Sequence, residues 1–384
     1  MKVLWIGDAI VNSGFSVVTH GICNELAEKC DLVVYGVRYD GRLRHKCSYH
    51  VYPGQRDGDM YGFEFAAQVA LQEDPDVIVV FNDDHIVNLY IDALRVSGER
   101  HGSRARIVPL FPVNLLPLNK DIMFYFSVKG VEQIMTYTNF SKHKIEEINP
   151  NLKISPIYHG VDSSLYFPII NAKHELGVKN DFIVGNVNSN TYRKRLDLFL
   201  EGFAKFAKGK TDVKCLIHAS THEKAYDLPS LASDFGIVDK VILSTGNLTV
   251  DKLNVLYNVM DVNTNTSLGE GFGLSLVEGA ACGIPILCAE HGNLKDIWGK
   301  NADYIKIERS EYIAGTMWKG DVISTDDFAE KLNRFYEDRS YLAERKEAIL
   351  EVSKDTKFQW STISDKVMKV LISANKGRLS FVSQ

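Results

Sequence analysis

An α/β architecture of two doubly wound, largely parallel sheets is what this sequence predicts, on three observations. Short continuous apolar runs such as Val77-Ile78-Val79-Val80-Phe81 have the length and composition of strands buried on both faces. Amphipathic segments fall between successive runs, as helices crossing from one parallel strand to the next must. The series then restarts beyond Tyr158-His159-Gly160-Val161-Asp162, a turn-rich joint. A second series predicts a second sheet, with a ligand crevice between the two domains.

Taken in order, Val3-Leu4-Trp5-Ile6 reads as the first strand, ending at Gly7. Residues 15–28 read as a helix, because Val18, Ile22 and Leu26 recur every four positions on one face. Leu32-Val33-Val34-Tyr35, Val77–Phe81, Ile107–Phe111 and Gln133–Tyr137 follow as strands, with a polar helix from about Ser141 to Asn149. In the second half, strands are expected at 182–185, 213–218, 241–243, 262–264 and 285–288. Helices are expected at 194–208, 251–258, 275–282 and 327–351. The last segment, 357–376, places Trp360, Ile363, Val367, Val370 and Leu371 at near-helical spacing, so a terminal helix is expected to pack back on the body.

The 384 residues suffice for two or three well-formed cores, and 45% hydrophobic with 24% charged residues is the balance of a globular chain. A net charge of −5 gives no global attraction to nucleic acid or to an anionic membrane. Cysteines at 23, 30, 47, 215, 282 and 288 form no C-x-x-C pair, so reduced, cytoplasmic thiols are expected rather than a zinc or redox centre. The apolar start is interrupted at Asp8 and followed by Asn12 and Ser13, unlike a signal peptide, and no run reaches the ~20 apolar residues of a membrane span.

Known cofactor motifs are absent. The first β–α turn, Gly7-Asp8-Ala9-Ile10-Val11-Asn12-Ser13-Gly14, lacks G-x-G-x-x-G, and no acid ends the second strand at Tyr35-Gly36-Val37-Arg38. Gly14 suits either close approach of backbone to a ligand or a plain helix start. Asp57-Gly58-Asp59 has the D-x-D form of metal-dependent sugar transferases but lies in a polar loop, where a surface turn is the expected reading. Asp83-Asp84-His85 directly follows a strand, where ligands collect; His85 is a candidate hydrogen-bonding or proton-carrying group, or a structural residue.

The richest segment is Glu270-Gly271-Phe272-Gly273-Leu274-Ser275-Leu276-Val277-Glu278. Two carboxylates flank a glycine-rich turn into a helix. Carboxylates accept from paired hydroxyls, and helix-start amides suit phosphate, so the pattern meets the needs of a nucleotide-sugar site. Ser275-x-x-Glu278 also fits a capping box, which would give Glu278 a structural role as well. Arg193-Lys194-Arg195, placed at the start of the 194–208 helix, sets three cations against the helix macrodipole. A bound diphosphate would offset that conflict; a solvated basic turn is the plainer reading.

The stretch from Ser267 to Pro285 resembles the signature of retaining GT-B glycosyltransferases of family 4, glycosyl transferases group 1. It joins an E-x7-E motif to a small-residue helix and a Gly-x-Pro turn. His159-Gly160-Val161-Asp162 with Phe167-Pro168, the Arg193–Asp197 stretch, Gly14 and Trp360 are similar to further family segments in order and spacing, so the resemblance runs along essentially the whole chain. It implies a GT-B fold: two Rossmann-like domains facing a central cleft, spanning 1–160 (acceptor side) and 161–356 (nucleotide-sugar side), with 357–384 crossing back to the first.

By the same resemblance, Glu270 would hold sugar hydroxyls, and Gly271, Phe272, Gly273, Leu274 and Ser275 would present backbone amides to sugar and phosphate. Glu278 would bind the ribose, while Lys194 with Arg193 and Arg195 would neutralise the diphosphate without a metal. No cofactor is implied beyond the nucleoside-diphosphate sugar, UDP- or GDP-linked, as co-substrate.

Departures from the family pattern fall at Asn186, where an Arg is common, and at Pro112-Val113-Asn114, where a sugar-contacting His is common. Arg193 or Arg195 would then supply the missing charge, and His85 or Asn114 would stand in for the His. Asn265-Thr266-Ser267 replaces a common Pro-Ser. The rival readings are a nucleotide-sugar epimerase, a phosphorylase and a non-catalytic nucleotide-sugar-binding protein. The acceptor is left open among saccharide, lipid, small molecule and modified nucleic acid, including a hydroxymethylated DNA base. Peripheral membrane association is left open as well.

Overall fold

The computed structural model describes every residue except 43–45, 57, 129, 130, 132, 176, 220–224 and 380–384. The chain forms two compact units. Residues 1–113, 118–160 and 356–384 make up the first, and residues 114–117 and 161–355 the second.

The first unit is built on seven strands: β1 (Lys2–Asp8), β2 (Asp31–Val37), β3 (His50–Pro53), β4 (Val77–Phe81), β5 (Arg106–Leu110), β6 (Gln133–Thr136) and β7 (Lys153–Pro156). All pair in parallel, in the order β3-β2-β1-β4-β5-β6-β7. Val3, Leu4, Trp5 and Ile6 of β1 and Val77, Val79, Val80 and Phe81 of β4 are fully buried, because helices cover both faces of the sheet. The chain steps outward from β1 in one direction and resumes at β4 in the other, so a switch point lies between β1 and β4.

The terminal helix Trp360–Leu379 belongs to this unit. Its Trp360 ring occupies space left by two glycines. A Cβ on Gly21 would lie 2.4 Å from the ring, and one on Gly160 2.7 Å. The glycine of His159-Gly160 is therefore required by packing against the last helix.

The second unit repeats the plan with six parallel strands: β8 (Phe182–Val187), β9 (Val213–Ala219), β10 (Val241–Thr245), β11 (Val262–Asn265), β12 (Ile286–Ala289) and β13 (Asp303–Ile305). Their order, β10-β9-β8-β11-β12-β13, places the switch point between β8 and β11. Phe199, Phe203 and Phe206 from the helix Leu196–Ala207 pack with Phe328, Leu332 and Phe335 from the helix Thr325–Glu337 on one side of the sheet. A two-stranded antiparallel hairpin, β14 (Ile307–Tyr312) and β15 (Lys319–Ile323), follows the sixth strand.

Three local expectations need correction. The helix expected at 327–351 is two helices, Thr325–Glu337 and Arg339–Ser353, because Asp338 leaves helical geometry and its carboxylate accepts from the Tyr341 amide as a new N-cap. The helix expected from 194 starts at Leu196. Tyr192–Lys194 is a 3₁₀ turn, and Arg195 follows in the left-handed region at φ 48°. The three cations therefore sit in a turn before the helix rather than in its first turn. Of the D-x-D pair, Asp57 lies outside the described residues. Asp59 accepts from the Tyr61 and Gly62 amides, each at 2.9 Å, as a turn-stabilising residue does. Among the described residues no helix is long and apolar enough to cross a membrane, and no group of three or more His, Cys, Asp or Glu side chains is placed to hold a metal.

Candidate functional site

Parallel sheets collect ligands at the carboxyl ends of their strands, at the switch point. In the second unit the two loops leaving that point carry the candidate residues. The loop after β8 leads to Arg193, Lys194 and Arg195; the loop after β11 runs through Thr266, Ser267, Leu268 and Gly269 to Glu270. Strands adjacent in the sheet but 75 residues apart in sequence thus bring Lys194 to Glu270, Nζ to Oε2, at 2.5 Å.

Glu270 is 6% exposed and Lys194 8%, so this pair is largely shielded from water. Asn265 Nδ2 and Ser267 Oγ each donate to the same oxygen, Oε2, at 3.2 Å. Arg193 Nη1 lies 3.5 Å from it and donates to the Gly269 carbonyl at 2.6 Å. All four contacts converge on Oε2, and Oε1 takes none of them. Burial pushes the Glu270 carboxyl up, but the charges of Lys194 and Arg193 outweigh burial and hold it well below the usual carboxylate range. From the other side, Asn293 Nδ2 donates to the Glu270 carbonyl at 2.9 Å.

Arg195 is directed elsewhere. Its guanidinium grips Asp197 through Nε and Nη2, both at 2.9 Å, and Nη1 lies 3.5 Å from Glu311 Oε1. Of the two arginines expected to replace a charge at Asn186, only Arg193 reaches the Glu270 turn. Asn186 itself is fully buried. Its Oδ1 accepts from Asn188 at 2.7 Å and its Nδ2 has no partner.

Glu278 does not close a capping box. The helix Leu274–Ala281 is capped by Gly273, which sits at φ 80° and has no side chain to cap with, and Ser275 lies inside the helix. The Glu278 carboxylate instead accepts from Tyr257 Oη at 2.6 Å and from the Tyr166 hydroxyl. Burial raises its pKa to about 7, against the pull of the two tyrosines. Gly271, Phe272 and Gly273 are buried, and the amides of Leu274 and Ser275 belong to the first helical turn, where no intrahelical acceptor exists.

Asn114 falls in the second unit, beside the same turn. A Cβ placed on Gly269 would lie 2.3 Å from the Asn114 carbonyl oxygen. Gly14 and His85 belong to the first unit, at its own switch point. Gly14 opens the helix Gly14–Leu26 behind the N-cap Ser13, whose hydroxyl donates to the buried Asp8 at 2.7 Å. His85 is exposed in the first turn of the helix Asp84–His101, 3.6 Å from Asp84 Oδ1.

Sequence reasoning did not single out Tyr257, His291, Asn293 or Asp321, and it noted Asn265 and Ser267 only as departures. A signal existed for two of them: Asn263-Thr264-Asn265-Thr266-Ser267 is a five-residue polar run, fully buried at a strand end, where such groups must find partners.

Comparison with known proteins bears on the family and the fold. Residues 169–352 match the family model described as glycosyl transferases group 1. The chain is 27% identical over 246 residues to the N-acetyl-alpha-D-glucosaminyl L-malate synthase of Bacillus anthracis, covering 60% of this chain and 61% of that enzyme. It is 30% identical over 149 residues to the D-inositol 3-phosphate glycosyltransferase of Mycobacteroides abscessus, covering 37% and 32%. The alignments therefore span less than two thirds of these relatives. In fold, the chain is similar to Anabaena HepE crystallised with UDP-glucose, with a TM-score of 0.76 at 18% identity over 97% of this chain and all of that one. It is also similar to the sucrose-phosphate synthase of Thermosynechococcus elongatus, with a TM-score of 0.78 at 13% identity over the full length of both.

Proposed function

We propose that this chain, a protein of the GT-B fold whose residues 169–352 match glycosyl transferases group 1, is a glycosyltransferase that moves a sugar from a nucleoside-diphosphate sugar to an acceptor hydroxyl with retention of configuration. The observation that carries this reading is the one-sided anchoring of Glu270. Lys194, Arg193, Asn265 and Ser267 all engage Oε2, leaving Oε1 to accept from a sugar hydroxyl.

In the reaction, the bond from the sugar's anomeric carbon to the diphosphate oxygen breaks while the bond from that carbon to the acceptor oxygen forms. The acceptor's proton passes to the departing diphosphate. Charge builds on that diphosphate as it leaves. Lys194 and Arg193 both stand beside Glu270, and in this reading these cations receive it, Arg193 with donors beyond the one on Gly269. Glu278 suits the ribose hydroxyls, and the amides of the Gly273–Ser275 turn suit the phosphates. In this reading the charge stabilisation is supplied by side chains and amides and no metal takes part. His85 or Asn114 would stand in for the sugar-contacting His.

UDP-glucose is a sensible first donor, since HepE, similar in fold, was crystallised with it. The relatives' acceptors include malate and an inositol phosphate, so small hydroxylated anions lead the acceptor panel. All six cysteines are free thiols, and the reading takes the setting to be cytoplasmic. The test is a screen of UDP- and GDP-sugars for transfer and slow hydrolysis, repeated with Glu270→Gln. Loss of turnover in a variant that still folds supports the reading, and full activity of the variant refutes it.

A further inference from the structure

His291 is 6% exposed, one residue beyond the strand-end stretch that follows β12, and it caps the helix Gly292–Trp298. Its Nε2 lies 2.6 Å from the Ser267 carbonyl oxygen and its Nδ1 3.4 Å from Asp321 Oδ2. A carbonyl oxygen only accepts, and so does an ionised carboxylate. Nε2 is therefore the donor to Ser267, and the Asp321 carboxylate lies beside the other ring nitrogen. Asp321 is fixed independently: Ser310 Oγ donates to its other oxygen at 2.5 Å, and its own amide donates to the Leu268 carbonyl at 2.8 Å.

These contacts join the β14–β15 hairpin to the Glu270 turn. Ser267 is the junction. Its carbonyl accepts from His291, while its hydroxyl donates to Glu270 Oε2 and its amide to Asn265 Oδ1. Two residues beyond His291, Asn293 donates to the Glu270 carbonyl. One short segment, His291 to Asn293, thus grips the turn at both ends, at Ser267 and at Glu270.

We propose that His291, braced by Asp321 of the hairpin, is a positioning residue for Glu270: through Ser267 it fixes the rotamer that anchors Oε2 and presents Oε1. It touches no substrate in this role. The inference rests on the glycosyltransferase reading of Glu270. If the grip is lost, the turn shifts while the cations and the ribose carboxylate stay, so turnover should fall much more than nucleotide affinity.

The test compares His291→Ala, His291→Asn, His291→Gln and Asp321→Asn. Glutamine places an amide donor near the position of Nε2 and keeps the Ser267 bond; asparagine reaches only toward Asp321. We expect kcat to fall about 10- to 100-fold in the alanine and asparagine variants. The dissociation constant for UDP or GDP should stay within about threefold, and His291→Gln should recover most of kcat. A folded His291→Ala enzyme with kcat within about twofold of wild type overturns the proposal, as does a glutamine variant no better than alanine. Should the alanine variant not fold, the glutamine and Asp321→Asn variants decide.

If the wild-type chain transfers no sugar, the functional reading fails by itself. Nitrogen-15 spectra of the imidazole then judge the arrangement: a protonated Nε2 in wild type, with the Nδ1 signal altered in Asp321→Asn, supports it. A ring whose Nε2 carries no proton overturns it.

Discussion

The Lys194 ammonium and the Glu270 carboxylate meet at 2.5 Å although neither residue is more than 8% exposed. Two charges taken out of water are tolerated only as a pair, and removing one strands the other. Lys194→Met should therefore destabilise the protein by about 3 kcal/mol, since it leaves Glu270 with Arg193 at 3.5 Å as its nearest cation. Glu270→Gln should cost less, because Asn265 and Ser267 keep a neutral acceptor. The double variant should lose less than the sum. Urea titrations of all four forms measure the coupling, and strict additivity would show that the pair does not act as a unit.

Glu278 predicts a pH dependence. Its folded pKa of about 7 stands above the ordinary 4.5, so the protonated form favours folding. That contribution is complete below about pH 4.5 and lost as pH rises through about 7. Glu278→Gln, neutral throughout, should match wild type in melting temperature near pH 5 and gain on it towards pH 8. Nucleotide binding should move the other way. If the Glu278 carboxylate holds the ribose hydroxyls as proposed, affinity for UDP or GDP should rise through the same window in wild type and stay flat in the variant. A pH-independent difference between the two proteins, in both measurements, would dismiss the assignment.

On the proposed reading, Arg193 should separate diphosphate recognition from nucleoside recognition. Its Nη1 is held by the Gly269 carbonyl, which leaves its remaining donors to an anion. Arg193→Ala should weaken a nucleoside diphosphate by about tenfold or more, the worth of one charged hydrogen bond, and leave the bare nucleoside unaffected. Calorimetric titration with both ligands reads the difference directly. Equal losses for the two would mean that Arg193 shapes the pocket and does not meet phosphate.

How far the sequence discloses this site depends on the range of each interaction. Val77–Phe81 and Phe182–Gly185 declare buried parallel strands by composition alone, and Glu270 stands out as a lone acid in a glycine-bordered turn after a strand. The Arg193–Arg195 run is visible too, but only the left-handed Arg195 and the 3₁₀ turn before it decide which cation faces Glu270 and which faces Asp197. Those are backbone choices that side-chain identity does not announce. The hairpin is hidden for another reason: Ile307–Tyr312 is largely exposed and reads as a polar loop. His291 and Asp321 lie 24 and 54 residues beyond Ser267, on elements whose adjacency only the strand order creates. The Ser275–Glu278 capping pattern misled because Gly273, in the left-handed region, starts the helix two residues earlier.

Gly269 should be the position in the turn least tolerant of a methyl group. Its φ is not in the left-handed region, so backbone freedom is not what requires glycine there. Space is: an added Cβ would lie 2.3 Å from the Asn114 carbonyl oxygen and 2.6 Å from Leu115 Cδ2. The leucine can rotate away; the carbonyl is backbone and cannot move without the segment 114–117, which Leu116 ties to β15 by accepting from the Lys319 amide at 2.7 Å. The strain must then pass to the turn itself, and the Gly269 carbonyl would carry Arg193 with it. Gly269→Ala should cost about 1–3 kcal/mol in stability, as overpacking does, and about 10- to 100-fold in kcat through displacement of Glu270 and Arg193. Adding Leu115→Ala should restore part of the stability but little of the rate, because the carbonyl clash remains. Recovery of full turnover in that double variant would assign the constraint to the leucine and remove Asn114 from the account.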